Sequence, residues 1–182
     1  MAITRYGIAG YGMVEKNAVN SAKNGLILSQ LPLDATEFLT VKCENGMWLQ
    51  YDMANEAVFL PAVTSKGLSL VATSEALYNQ FEQGLENFYQ IGGQYPRLYP
   101  LGVNDRYTTN CFSFDTASYA DEAAVVAALG ALDTEVYVVP GISGVPTLAD
   151  AVGSSVTYGK VVKYYTMPDG TEGIKIQILA VG

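Results

Sequence analysis

The spacing closest to a catalytic motif is Gly141-Ile142-Ser143-Gly144, where glycines frame a serine much as in the sharp turn that exposes a hydrolase nucleophile. That turn needs one more residue before its second glycine, and the chain contains no histidine to accept the serine proton. Activation would fall to Lys160 or Lys163, and a tight turn that uses its glycines for backbone shape is the better reading. The missing histidine also removes Cys-His nucleophiles, His-ligated zinc and imidazole proton shuttles.

Other near-motifs fail for equally specific reasons. Gly7-Ile8-Ala9-Gly10-Tyr11-Gly12 runs G-x-x-G-x-G rather than G-x-G-x-x-G, and no strand precedes it to aim a pyrophosphate cradle. The stretch 153–160 ends in Gly159-Lys160 but is followed by Val161, which lacks the hydroxyl a phosphate loop offers to magnesium. Asp121 with Glu122 and Asp133 with Glu135 are neighbouring acids, which serve a helix start better than a glycosidase, whose carboxyls must face each other across a bond. Cys43 and Cys111 are too few for a disulfide framework or a four-ligand metal site, and their apolar settings mark them as buried free thiols. The sequence therefore predicts no catalytic residue, no cofactor and no metal.

What is abundant is aromatic. Thirteen tyrosines and one tryptophan sit in a chain that is 49% hydrophobic and only 15% charged, so the surface is covered by neutral polar groups or by another protein. A net charge of −8 works against phosphate backbones and excludes nucleic acid as a partner. No apolar run reaches bilayer length, and the first dozen residues lack the apolar stretch of a secretory signal, so neither membrane insertion nor export by that route is expected.

The elements that must position these residues predict an α+β fold, mainly β. Residues 1–35 form an extended N-terminal arm, rich in glycine and without periodicity, that is disordered or gains order by lying across something else. Residues 36–182 form a single compact body. A hairpin over about 38–52 is expected to turn at Glu44-Asn45-Gly46, pairing Cys43 with Met47, Val41 with Leu49 and Leu39 with Tyr51, because that register gives one clean apolar face. Lys42 then lies opposite Trp48, within reach of a cation–π contact. Short strands follow at 57–60 and 67–73, then a helix over about 74–89 opened by Ser74 and closed by Gly92 and Gly93. Residues 96–101 read as an edge strand or an extended connection, 106–114 as a strand, and 121–129 as a helix capped by Asp121 and stopped by Gly130. A buried strand at 136–139, a turn at 140–144 and a helical turn at 147–152 lead to a closing hairpin over about 161–179. There Pro168-Asp169-Gly170 makes the turn, Met167 pairs with Thr171, and Val162, Tyr164, Ile174, Ile176 and Ile178 share one face. Lys163 and Lys175 oppose each other on the other face, which must be wet or matched by an acidic partner.

The start Met1-Ala2-Ile3-Thr4-Arg5-Tyr6, the stretch Tyr95-Pro96-Arg97-Leu98-Tyr99-Pro100-Leu101 leading to Asp105-Arg106-Tyr107-Thr108-Thr109-Asn110, and the closing hairpin resemble the head accessory proteins of tailed bacteriophages. These are decoration or cement proteins that sit on an assembled capsid. Asn104 departs from the glycine such segments often carry. The resemblance implies a non-enzymatic virion protein that binds the outside of a phage capsid and stabilises the major capsid protein lattice. It further implies a homo-oligomer, a trimer among the options, assembled in the host cytoplasm and located on the capsid surface. The residues assigned to partner contact are Arg5, Tyr6, Tyr11, Lys42 and Trp48, and an arm removed over 1–31 is expected to leave a folded body unable to bind capsids. The alternative, motivated by the tyrosines, is a carbohydrate-binding or adhesive module of a phage fibre or surface structure.

Overall fold

Alternation of isoleucine with polar residues near the C-terminus sets the frame of the molecule. The computed structural model describes residues 4–5, 10–73, 88–131, 135–167 and 170–182. In chain order its elements are β1 (Thr4–Arg5), β2 (Val14–Ala18), α1 (Asn20–Lys23), a single 3-10 turn (Glu37–Leu39), β3 (Trp48–Asp52), β4 (Ala57–Phe59), β5 (Leu68–Val71) and β6 (Leu98–Pro100). They continue with β7 (Arg106–Thr109), β8 (Ser113–Phe114), α2 (Glu122–Ala131), β9 (Tyr137–Val139), β10 (Thr147–Ala149), β11 (Tyr158–Thr166) and β12 (Glu172–Ala180). The class is α+β and mainly β.

Two sheets result. The larger has the order β1-β8-β10-β9-β11-β12-β7-β2, and the smaller β4-β3-β5-β6. All pairings are antiparallel except that of β8 with β10. The closing hairpin forms in the expected register, with Pro168 and Asp169 of its turn outside the described residues: Met167 N–H donates to the Thr171 carbonyl at 2.8 Å, Gly170 takes a φ of +85°, and Lys163 pairs with Lys175. Ile174, Ile176 and Ile178 are fully buried, each contributing roughly 1.5–3 kcal/mol. A bulge at Val162 flips the expected register upstream, so Val161 enters the core in place of Val162.

The smaller sheet is covered on both faces. Trp48, Leu68, Leu70 and Tyr99 join the core cluster of Ile174, Ile176, Phe112 and Leu129, while Leu49, Val58, Val71 and Leu98 join a second cluster with Phe38, Met47 and Cys111. This overturns the hairpin expected over 38–52. A strand apolar on both faces carries no alternation to fix its register, and β3 pairs with β4 and β5 instead. The turn that joins β3 to β4 is built by Asp52, whose carboxylate accepts from the Ala54 and Asn55 N–H groups and from the Asn55 side chain. Upstream, the Asp34 side chain accepts from Thr36 and Glu37 N–H and starts the 3-10 turn, which buries Phe38 and leaves Leu39 exposed. Gly46 does adopt the left-handed conformation, φ +97°, but to let the backbone close against Thr109 and Cys111 rather than to make a hairpin.

Three further expectations change. Residues 147–149 form the central strand β10 between β8 and β9, not a helical turn, because tertiary pairing outweighs local propensity. The helix α2 is capped by Asp121, whose carboxylate accepts from Ala124 N–H at 2.8 Å, and it buries Val125 and Leu129. It continues through Gly130 to Ala131, a cost of about 1 kcal/mol relative to alanine. Strand propensity over 106–114 divides into β7 and β8 around Asn110–Phe112. The helix expected over 74–89 falls outside the described residues except for Phe88 and Tyr89, which belong to neither helix nor strand.

The early segment is part of the body. Strand β2 completes the larger sheet on β7, Val19 is buried in the main core, Leu28 exchanges two backbone hydrogen bonds with Leu98, and Leu33 pairs with Val58. A separable arm over 1–35 does not describe residues 10–35, whose partners lie in both sheets.

Candidate functional site

Residues 41–47 run without regular structure, and side chains pin them in place. Asn45 forms a reciprocal pair with Thr73, donating to its carbonyl at 3.0 Å and accepting from its N–H at 2.8 Å. Cys43 and Gln90 exchange backbone bonds of 2.9 and 2.7 Å, and the Gln90 amide oxygen accepts from the Thr73 hydroxyl. The buried Glu44 carboxylate accepts from Gly12 N–H, which draws the early segment onto the same place, and Gly12 is close enough to Cys111 and the Asn45 carbonyl that no larger residue fits.

The product is an open cleft of about 340 Å³ lined by Tyr11, Val41, Lys42, Glu44, Met47, Ser143 and Val145. Tyr89 stands beside it. Its ring lies 4.6 Å from that of Tyr11, tilted by 45°, and the Lys42 ammonium sits 4.9 Å over its centroid. Two of the five residues assigned to contact from sequence, Tyr11 and Lys42, are therefore joined through Tyr89. Arg5 lies in β1 opposite Ser113, and Tyr6 falls outside the described residues.

Trp48 is a correction. It is fully buried, its indole N–H donates to the Tyr107 hydroxyl at 2.5 Å, and it offers nothing to a partner on the surface. Lys42 accordingly lies on Tyr89 and not on Trp48, since the expected hairpin that would have opposed them does not form. Tyr89 was missed because its expected place at the end of a helix gave no direction for its ring. The turn signal at 140–144 pointed to Ser143 as loop, and Gly144, φ +82°, seats that loop against Met47 and Leu49.

Ser143, Lys42 and Glu44 share the cleft wall, yet among the described residues Ser143 has no hydrogen-bonded base, and Lys42 places its ammonium on a ring. Burial pushes the Cys43 thiol far up, with the Glu44 charge as a second cause, so it stays protonated and is a poor nucleophile. Cys43 and Cys111 are both free and buried. Among the described residues no cluster of three metal-ligating side chains occurs, and no helix is long and apolar enough to cross a membrane. What the cleft can do chemically is grip: two tyrosine rings, a cation and aliphatic walls suit a protein side chain. Around it Leu39 is 76% and Tyr95 57% exposed, and the Gly92 N–H bond to the Phe38 carbonyl holds the 88–95 segment alongside Leu39. Comparison with protein-family models, with curated proteins and with solved structures gives no match to this chain.

Proposed function

We propose that the protein is a non-enzymatic structural component of a tailed-phage virion, a decoration or cement protein that binds the outside of the capsid and stabilises the major capsid protein lattice. The observation that carries this reading is the Tyr11–Tyr89–Lys42 cleft, with Leu39, Ile91 and Tyr95 exposed on the segments beside it. Protein interfaces are enriched in aromatic side chains, and many copies on a lattice turn modest single contacts into durable binding. Assembly as a homo-oligomer, of which a trimer is one form, belongs to the same reading. Two free thiols suit assembly in a host cytoplasm before the protein takes its place on the capsid surface.

Co-sedimentation with purified tailed-phage capsids stripped of accessory protein tests the proposal. The wild-type chain should bind saturably, and Tyr89→Ser, which removes the ring shared by Tyr11 and Lys42, should lose most of that binding while keeping its circular dichroism. Failure to saturate any such capsid counts against the reading.

A second reading, a carbohydrate-binding or adhesive module, draws on a different place. Tyr137 and Tyr158 meet edge to face at 6.3 Å, and Glu135 accepts from both the Tyr137 hydroxyl (2.6 Å) and Lys160 (2.8 Å). Lys160 and Tyr137 hold the Glu135 carboxyl below the usual carboxylate range. Glycan-array binding abolished by Tyr158→Ala would favour this reading, and silence on the array would dismiss it.

A further inference from the structure

Three cations on the outer face of the larger sheet have no acidic partner among the described residues. Lys163 and Lys175 are direct cross-strand partners on β11 and β12. Arg106 on β7 pairs with Gln177, one diagonal step from Lys175. Because Ile174, Ile176 and Ile178 point into the core, Lys175 and Gln177 point outward, and Lys163 and Arg106 are exposed beside them. The ammonium of Lys163 rests 5.3 Å from the Tyr165 ring centroid. Lys160, on the same face, is already neutralised by Glu135.

Like charges set directly opposite on antiparallel strands, with Cβ atoms about 4.5–5.5 Å apart, repel and weaken the hairpin. This chain carries only 10 basic residues and a net charge of −8, so three cations without an ion pair on one face form a local reversal of its own field, with exposed Glu15 as the acid of the same row, two strands from Lys175 across Thr108. A carboxylate placed between the two lysines removes the repulsion, and a second can meet the guanidinium fork of Arg106.

We propose that this face docks an acidic segment of a partner protein, laid across β11, β12 and β7 with its carboxylates on Lys163, Lys175 and Arg106. The site is separate from the tyrosine cleft and stands whether or not that cleft binds capsids. Nucleic acid is the weaker occupant, since three cations on an acidic chain neutralise too few phosphates to hold a duplex at ordinary salt. Tyr165 and Arg106 are side chains that protein interfaces favour.

The test is fluorescence anisotropy of a labelled polyglutamate peptide titrated with the full chain. Saturable binding that weakens with salt is expected. Lys175→Glu should reduce affinity by roughly tenfold or more, and Lys66→Glu, on a remote loop, should leave it unchanged. Lys175→Glu also places opposite charges across the hairpin, so its melting temperature should hold or rise, which separates lost binding from lost folding. The proposal is overturned by absent binding, by equal affinity in Lys175→Glu, by preference for a DNA duplex over polyglutamate, or by self-association that consumes the same face.

Discussion

Replacing Tyr107 by phenylalanine removes one oxygen from the junction between the two sheets. Trp48 belongs to β3 of the smaller sheet and Tyr107 to β7 of the larger, both are fully buried, and the indole N–H donates to the tyrosine hydroxyl at 2.5 Å. Without that hydroxyl the N–H loses its acceptor inside the core cluster that also holds Leu70, Phe112 and Ile176. An orphaned buried donor costs about 1–3 kcal/mol, and the small volume lost adds little to that. For a chain of 182 residues each kcal/mol shifts the melting temperature by roughly 2–4 °C, so a loss near 2 kcal/mol lowers it by about 4–8 °C. Trp48 is the sole tryptophan, so its emission reports this site alone during urea and thermal unfolding, with far-ultraviolet circular dichroism as the independent probe. Trp48→Phe combined with Tyr107→Phe should cost less than the two single changes added together, because no orphaned donor remains. A Tyr107→Phe protein within about 0.5 kcal/mol of wild type, with unchanged tryptophan emission, would refute the view that this bond ties the sheets.

Alkali should destabilise the fold in two stages. Burial pushes the Cys43 thiol and the Tyr107 hydroxyl up, so the folded state keeps protons that the unfolded chain releases. These two groups leave stability flat from neutral pH to about 8.5 and lower it above that, first through the cysteine and past about pH 10 through the tyrosine as well, at about 1.4 kcal/mol per pH unit for each group. Urea midpoints measured from neutral to strongly alkaline pH check this, Cys43→Ala should make the fall between about pH 8.5 and 10 shallower, and a flat profile would contradict it. Deleting residues 1–31 should not leave an intact body: it strips β2 from β7 and removes buried Val19, a loss above about 3 kcal/mol. Thermal melts of the truncated chain at the wild-type temperature would contradict the assignment of β2 to the sheet.

The sequence by itself determined whatever depends on neighbours along the chain. Absent histidine excluded a set of reactions, Gly170 marked the end of the closing turn, and alternation in 171–179 put Ile174, Ile176 and Ile178 inward and Lys175 outward. Asp121 marked the start of α2 because a cap is a local bond. Tertiary structure decided what depends on what lies above and below. Trp48 and Leu49 are both buried, on opposite faces of one strand, so no alternation in 38–52 could tell which partner β3 would take. Thr147 to Ala149 became a strand because β8 and β9 offered open edges on either side. The cleft, too, is a tertiary object: Tyr11, Lys42 and Tyr89 are far apart in the chain and meet only because Asn45, Glu44 and Gln90 satisfy their hydrogen bonds across three segments. Side chains that bond to distant backbone leave no periodic trace, which is why the aromatic residues were legible as a composition and their arrangement was not.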